Sequence, residues 1–327
     1  MIPAGPWGRC GLLVAAAAAA ATEAAQARDF LQRPVRLVVP YGAGNVTDQV
    51  ARVLAEALSG RWPQRVVVEN VPGAGGALGV AAAARAAPDG HTLVLSAMAA
   101  LAVTPHLRRG QAGYDPLADL SPIGLVAVTR GALAAHPAPP VRGLDELAAH
   151  ARRAGPIFYY SAGSGTLPHL NMELLKAALG GVPLEHAPYR SSAAGLSDLL
   201  AGRVQLTMDA ASVTLPAILD GRLRALFWNG PRRNPLLPEV PTASEALPGL
   251  DLANPWLGLL APAGVPSPVL ARLEADLAAA LAAPGFAERL GAGLEVLGGG
   301  SEAFARQLRA DHARFGALLA KLDIRPD

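Results

Sequence analysis

The chain has 327 residues, with 28 Lys plus Arg against 26 Asp plus Glu and 51% hydrophobic side chains. That length supports two domains with real cores, and a net charge of +2 with scattered arginines excludes a nucleic-acid-binding surface. The 35 glycines and 29 prolines fall between periodic segments, so they mark turns and not a low-complexity linker.

Residues 1–9 carry one basic side chain, Arg9, and residues 11–21 form an unbroken apolar or small run. Ala25-Gln26-Ala27 then fits the small-x-small pattern of signal peptidase. The run is too short for a stable anchor. Residues 1–27 are therefore read as an export signal, cleaved after Ala27. The only cysteine, Cys10, leaves with it, and a chain this long folds without disulfides. No later stretch reads as a transmembrane helix.

Strand and helix then alternate. A strand rich in β-branched residues at 35–39 stops at Pro40. A turn bearing Gly42 and Gly44 follows, then a helix at 47–58 with one apolar face. A strand at 65–69 leads through Pro72-Gly73-Ala74-Gly75-Gly76 into an alanine-rich helix ending near Ala87. Asp89-Gly90 turns into a third strand at 92–96. This β-α-β-α-β run predicts a parallel sheet with helices on both faces. Short strands at 123–128 and 132–135 and a helix at 144–154 come next. The alternation restarts with strand 157–161, helix 168–179, strand 184–187, helix 192–201 and strand 204–208. Strand 223–228, a proline-rich loop, strand 256–260 and helices at 268–282 and 302–322 finish the chain. A β/α block, a second one and a return predict an α/β protein of two interleaved parallel-sheet lobes. The chain crosses between them near 127–131 and again near 249–256, which makes a hinge with a cleft.

Two strand–loop–helix junctions carry the chemistry. At Tyr41, Gly42, Ala43, Gly44 and Asn45, backbone N–H groups and the positive end of a helix dipole are aimed at one point. At Ser161, Gly163, Ser164, Gly165 and Thr166, hydroxyls join such N–H groups, with Pro168 in the first helical turn. Both read as anion traps. Two roles are open to His169: donating to a ligand or water, or bracing the loop. Asp48 is placed to offset the dipole and to pair with Arg52. Asp209 either faces the cleft or caps a turn. Arg190, beside Tyr189, reads as a solvated surface arginine or else a counter-ion, and Trp228 and Trp256 as core.

Other chemistries fit less well. Gly42-x-Gly44 follows a strand, but the third glycine of a dinucleotide fingerprint would fall at Thr47. Ala162-Gly163-Ser164-Gly165-Thr166 misses both outer glycines of a nucleophile elbow, which weakens a secreted serine hydrolase. Cysteine pairs and the His-Glu-x-x-His spacing of a metal site are absent from the sequence, so no metal and no cofactor are expected.

These residues also carry a family resemblance. Five stretches share it: residues 39–45 with Asp48, Ala51 and Arg52; Val68-Glu69-Asn70 with residues 72–76; residues 161–170 with Glu173; Pro188-Tyr189 running on to Leu199, Leu200 and Gly202; and residues 256–266. The chain resembles the Bug-type extracytoplasmic solute receptors, the substrate-binding components of tripartite tricarboxylate transporters. The resemblance implies a two-lobed, type II-like periplasmic-binding-protein fold, with one lobe of 28–128 plus 252–327 and the other of 129–251. It implies a periplasmic receptor that closes on a small organic carboxylate and delivers it to membrane transporter components, and a monomer with one site per cleft is the default expectation. Signalling to a membrane sensor is the alternative role. Carried over residue by residue, the site is Tyr41 to Asn45 and Ser161 to Thr166 with His169, to which Tyr189 and Asp209 are added.

The chain departs from the family's pattern twice. Asn45 stands where relatives have a second glycine. After the third strand, Ala99 and Ala100 open a stretch where relatives place hydroxyls and imidazole. The expectation is a ligand whose distal end is less polar than citrate or aspartate, because a site without partners for extra polar groups rejects them.

Overall fold

The computed structural model describes residues 31–138, 140–291 and 293–322. The expected export signal, Cys10 included, lies outside the described residues. Among those described, no helix is long and apolar enough to cross a membrane.

Two sheets organise the chain. The first has six strands: β1 (Val35–Val39), β2 (Val66–Asn70), β3 (Thr92–Ala97), β4 (Leu120–Thr129), β10 (Trp256–Pro262) and β11 (Leu294–Val296), in the order β11-β4-β10-β3-β1-β2. The second has five: β5 (Gly131–Ala135), β6 (Ile157–Ser161), β7 (Leu184–Pro188), β8 (Leu206–Ala210) and β9 (Arg224–Trp228), in the order β7-β6-β8-β5-β9. These are the two lobes of an α/β protein. Sheet membership changes at Arg130, between β4 and β5, and again between β9 and β10.

The expected purely parallel sheets are mixed. β1 lies parallel to β2 and β3, and β6 to β7 and β8, because a helix carries the chain back over the sheet each time. The strands reached by crossing between sheets have no such helix and run antiparallel: β5 against β8 and β9, and β10 against β3 and β4.

The packing follows from the apolar stripes. Helix α1 (Val46–Ser59) lays Val50, Ala51, Leu54 and Leu58, all fully buried, on the core shared by β1, β3 and β10. Helix α2 (Ala77–Ala84) covers the opposite face through Val80 and Ala83. In the second lobe, α4 (Leu144–Ala154) and α5 (Leu167–Ala178) pack Leu147, Ala151, Met172 and Leu175 on one face of the sheet, and α6 (Ser192–Leu200) packs Leu199 on the other. The C-terminal helix α11 (Ser301–Leu322) returns to the first lobe and buries Phe304, Leu308 and Phe315.

In each lobe one strand is a switch point. β1 sits between β2 and β3, and β6 between β7 and β8. Open α/β sheets bind ligands just beyond the carboxyl ends of such strands. Both predicted anion loops leave from those ends.

Candidate functional site

The two loops are built alike. Each helix begins after a cap residue in extended conformation, Asn45 in the first lobe and Thr166 in the second. In each, the third helical side chain reaches back to a glycine N–H one residue before the cap. Gly44 N–H donates to Asp48 Oδ2 at 2.8 Å, and Gly165 N–H donates to His169 Nδ1 at 3.0 Å. Both glycines have positive φ, +83° and +76°, where a β-carbon is strained. The geometry corrects one expectation: these N–H groups hold the loops in shape and are not aimed at a ligand. The Gly163 N–H is similarly taken by Ser161 Oγ at 3.2 Å. The groups left for an anion are the N–H groups of Val46 and Thr47 at the start of α1 and of Leu167 at the start of α5; the Asp48 N–H is capped by Asn45 Oδ1 at 2.9 Å, and Pro168 has none.

Asp48 is 2% exposed yet charged. Burial opposes its ionisation, but the Arg52 guanidinium at 3.0 Å, the Gly44 N–H and the Asn70 amide at 2.9 Å hold its carboxyl below the usual carboxylate range. The same Asn70 amide donates to the Tyr41 carbonyl at 3.0 Å, so one side chain ties loop to helix. A depressed carboxyl stabilises the fold above its unfolded pKa, near 3.8, and that contribution fades as pH falls through the folded value. In Asp48→Asn the new NH2 faces a donor whichever way it turns, Gly44 N–H and Arg52 on one side and Asn70 on the other. The expected loss is about 2 kcal/mol at pH 7, shrinking as pH falls below the unfolded value and through the depressed folded one, as read by denaturant unfolding against pH.

His169, 7% exposed, braces the loop through Gly165. Its ring stacks on His186 at 3.8 Å and 8°. His186 Nε2 lies 2.7 Å from Ser161 Oγ, and Ser161 Oγ in turn is 2.9 Å from the Gly163 carbonyl. Thr166 Oγ1 donates to that same carbonyl at 2.7 Å. Ser164 is half-buried in the loop. His186 escaped the sequence reading; its only signal was a polar residue directly across the ladder from buried Tyr159.

A cavity of about 240 Å³ lies between the lobes. Val46, the first residue of α1, borders it together with Leu167 and Pro168, the first two of α5. Both helix N-termini therefore reach one space. Asp209 faces it, 5% exposed, accepting from Tyr160 Oη at 3.3 Å and from the Ala210 N–H at 2.8 Å. Burial, reinforced by the Asp209 carboxylate, pushes the Tyr160 phenol well up, so it stays a donor. Asn171 and Asn229 add polar groups, while Met208 and Pro255 add apolar wall. Asn171 pairs with the Ala253 peptide, accepting its N–H at 2.7 Å and donating to its carbonyl at 3.3 Å. Sequence periodicity offered no sign of Asn171 or Asn229, because their roles come from where the lobes meet, nor of Tyr160, whose partner Asp209 lies on another strand of its sheet.

Of the expected site residues, Asp209 is the one that borders this cavity; the loops at 41–45 and 161–166 reach it through the helix starts that follow them. Three expected residues have other roles. Tyr41 turns its ring under Gly76 and its hydroxyl inward toward Ala100, and burial pushes its phenol up. Ala100 is fully buried beneath it, with its carbonyl taken by Tyr114 Oη; it is core, not cleft wall, whereas Ala99 stays partly open. Tyr189 closes the loop after β7, with its N–H on the Ser161 carbonyl at 3.0 Å and its hydroxyl on Asp198 at 2.8 Å. Arg190 is exposed, and Trp228 and Trp256 are buried as expected.

Residues 50–324 match the model of the tripartite tricarboxylate transporter family receptor. The chain is 35% identical over 321 residues to the UPF0065 protein in the tcbD-tcbE intergenic region of Pseudomonas sp. strain P51, covering 96% of this chain and 94% of that one. Among solved structures, the periplasmic binding protein BugD is 36% identical with a TM-score of 0.71, over 90% of this chain and 99% of its own. Rpa4515 of R. palustris, solved with adipate, is 31% identical with a TM-score of 0.75 over the same shares. A match over this much of the chain places the protein in a family of substrate-binding receptors and not of enzymes: it belongs to the tripartite tricarboxylate transporter family receptors.

Proposed function

We propose that the chain is an exported receptor, read as residues 28–327 in the periplasm, that captures a small organic carboxylate between lobes 28–128 plus 252–327 and 129–251. It then delivers the ligand to membrane components of a tripartite transporter. The observation that carries this is that Val46 and Leu167, each the first residue of a helix, border the same inter-lobe cavity. Two helix N-termini give an anion unpaired donors and favourable dipole ends from both lobes. A ligand held this way stabilises the closed arrangement by the difference in its affinity for the two forms.

The ligand class follows from the walls. Val46, Leu167, Pro168, Met208 and Pro255 present carbon, so an apolar chain or ring packs there without leaving polar groups unpaired. The Asp209 carboxylate disfavours a second anionic group beside it. The adipate in Rpa4515, two carboxylates separated by an aliphatic chain, shows one relative holding such a ligand.

A thermal-shift panel of aliphatic mono- and dicarboxylates, aromatic acids, amino acids and citrate tests the reading. A ligand at about 100 times its Kd adds roughly 2.7 kcal/mol, several degrees for a chain of this size. The expected hit is an aliphatic or aromatic acid, with its shift abolished in Gly44→Val and Gly165→Val relative to each variant's own unliganded Tm. Citrate binding more tightly than every simpler acid contradicts the ligand class. Silence across the panel contradicts the carboxylate reading.

A further inference from the structure

Two extended crossing segments form a ribbon between the lobes, residues 128–131 and 252–256, joined where the Thr129 N–H donates to the Pro255 carbonyl at 2.9 Å. Side chains alternate across such a ribbon. Thr129, Gly131 and Pro255 border the inter-lobe cavity described above. Val128, Leu252, Asn254 and Trp256 border a different cavity, of about 370 Å³, behind it. Arg130 and Asn229 touch both.

We propose that this rear cavity is a second ligand site, for a small amphipathic monoanion such as an aromatic or branched carboxylate. Its apolar wall is Leu125, Val128, Leu250, Leu252, Trp256 and Leu297. The charged end meets Arg130, which is 7% exposed. Two of the five guanidinium donors are committed, Nε to Glu295 at 3.0 Å and Nη1 to Asn254 at 2.8 Å. Glu295 is 47% exposed, so solvent screens its hold on the guanidinium. A broad apolar pocket with a few convergent polar groups is the usual form of a small-molecule site. Among the described residues that border the cavity, Arg130 is the one cation and Asp251, 3.2 Å from Arg314, the one carboxylate. A second anionic group on the ligand would find no second cation.

The cavity also touches both lobes: Leu125, Trp256 and Leu297 on one side, Gly230 and Ser244 on the other. An occupant therefore stabilises the lobe arrangement described here, from the opposite side of the ribbon to the cleft. By linkage, it changes cleft affinity by the same factor as a cleft ligand changes its own.

The probe is 4-bromobenzoate, soaked into crystals of the mature chain to locate bromine by anomalous scattering and titrated in solution by calorimetry. The expected result is bromine between Trp256 and Leu297 together with saturable solution binding. That binding is weakened at least tenfold by Arg130→Gln and by Leu297→Trp. Leu297 is 40% exposed, so the indole fills the cavity without disturbing the buried pair, and this variant keeps the test valid if Arg130→Gln fails to fold. Bromine in the cleft with none behind the ribbon overturns the proposal and leaves the receptor reading intact. Binding at crystal concentration only, or solution binding unchanged in Leu297→Trp, also overturns it.

Discussion

Gly131→Ala is expected to lower stability by roughly 1–3 kcal/mol and to weaken carboxylate binding at least tenfold. Gly131 has no positive φ; the constraint is space. A β-carbon there falls inside the van der Waals shell of the Asp209 carbonyl oxygen and 3.5 Å from the Ala210 α-carbon. Both are backbone of β8, which pairs with β5 at Gly131↔Ala210. No rotamer change relieves such a clash, so the strand must shift. β8 carries Asp209 into the cleft, and the Gly131 carbonyl accepts the Asn229 N–H at 2.8 Å. One methyl therefore disturbs the sheet, the crossing and the cavity together. Unliganded Tm and ligand Kd, measured on the same preparation, check both halves; a normal Kd would separate the crossing from the site.

Phe304→Ala should cost more stability, about 3–5 kcal/mol, and leave ligand affinity unchanged while the protein is folded. Phe304 is fully buried on α11, edge-on to Trp256 at 5.1 Å and 79°. Gly258, with no side chain of its own, lets the ring lie directly on β10. Trp256 is fixed from behind by its indole N–H on Asp311 at 2.7 Å. Truncation removes an aromatic pair and leaves a cavity that the strand cannot fill. Midpoints of denaturant unfolding at constant m-value read the effect. A change below about 1 kcal/mol would mean that α11 docks without anchoring the first lobe.

Much of this fold was legible because apolar periodicity and glycine turns are local signals. The strand at Ile157–Ser161 and the helix at Leu144–Ala154 fall at the expected residues. Strand β8 lies two residues later than expected, since Val204 is buried and apolar without joining the ladder. Helix α7 (Ala211–Leu219) was hidden by Pro216 inside it. β11 was too short to show a period. The antiparallel pairings were hidden because direction depends on which sheet a strand joins, and that choice is tertiary. At the site, both loops and the Asp48–Arg52 pair were readable, whereas the glycine N–H groups turned inward. A side chain four residues on can compete with a ligand for the same donor, and sequence spacing alone does not say which wins. Arg130, Asn171 and Asn229 gain their roles only where lobes and crossings come together.

A carboxylate that engages the N-termini of α1 and α5 at once shields both loops from solvent. Hydrogen exchange of the mature chain, with and without saturating carboxylate from the thermal-shift panel and adipate as the first probe, measures this. The expected result is slowed exchange in peptides covering both 41–48 and 161–170. Protection confined to one of the two, or to neither, would rule out joint engagement.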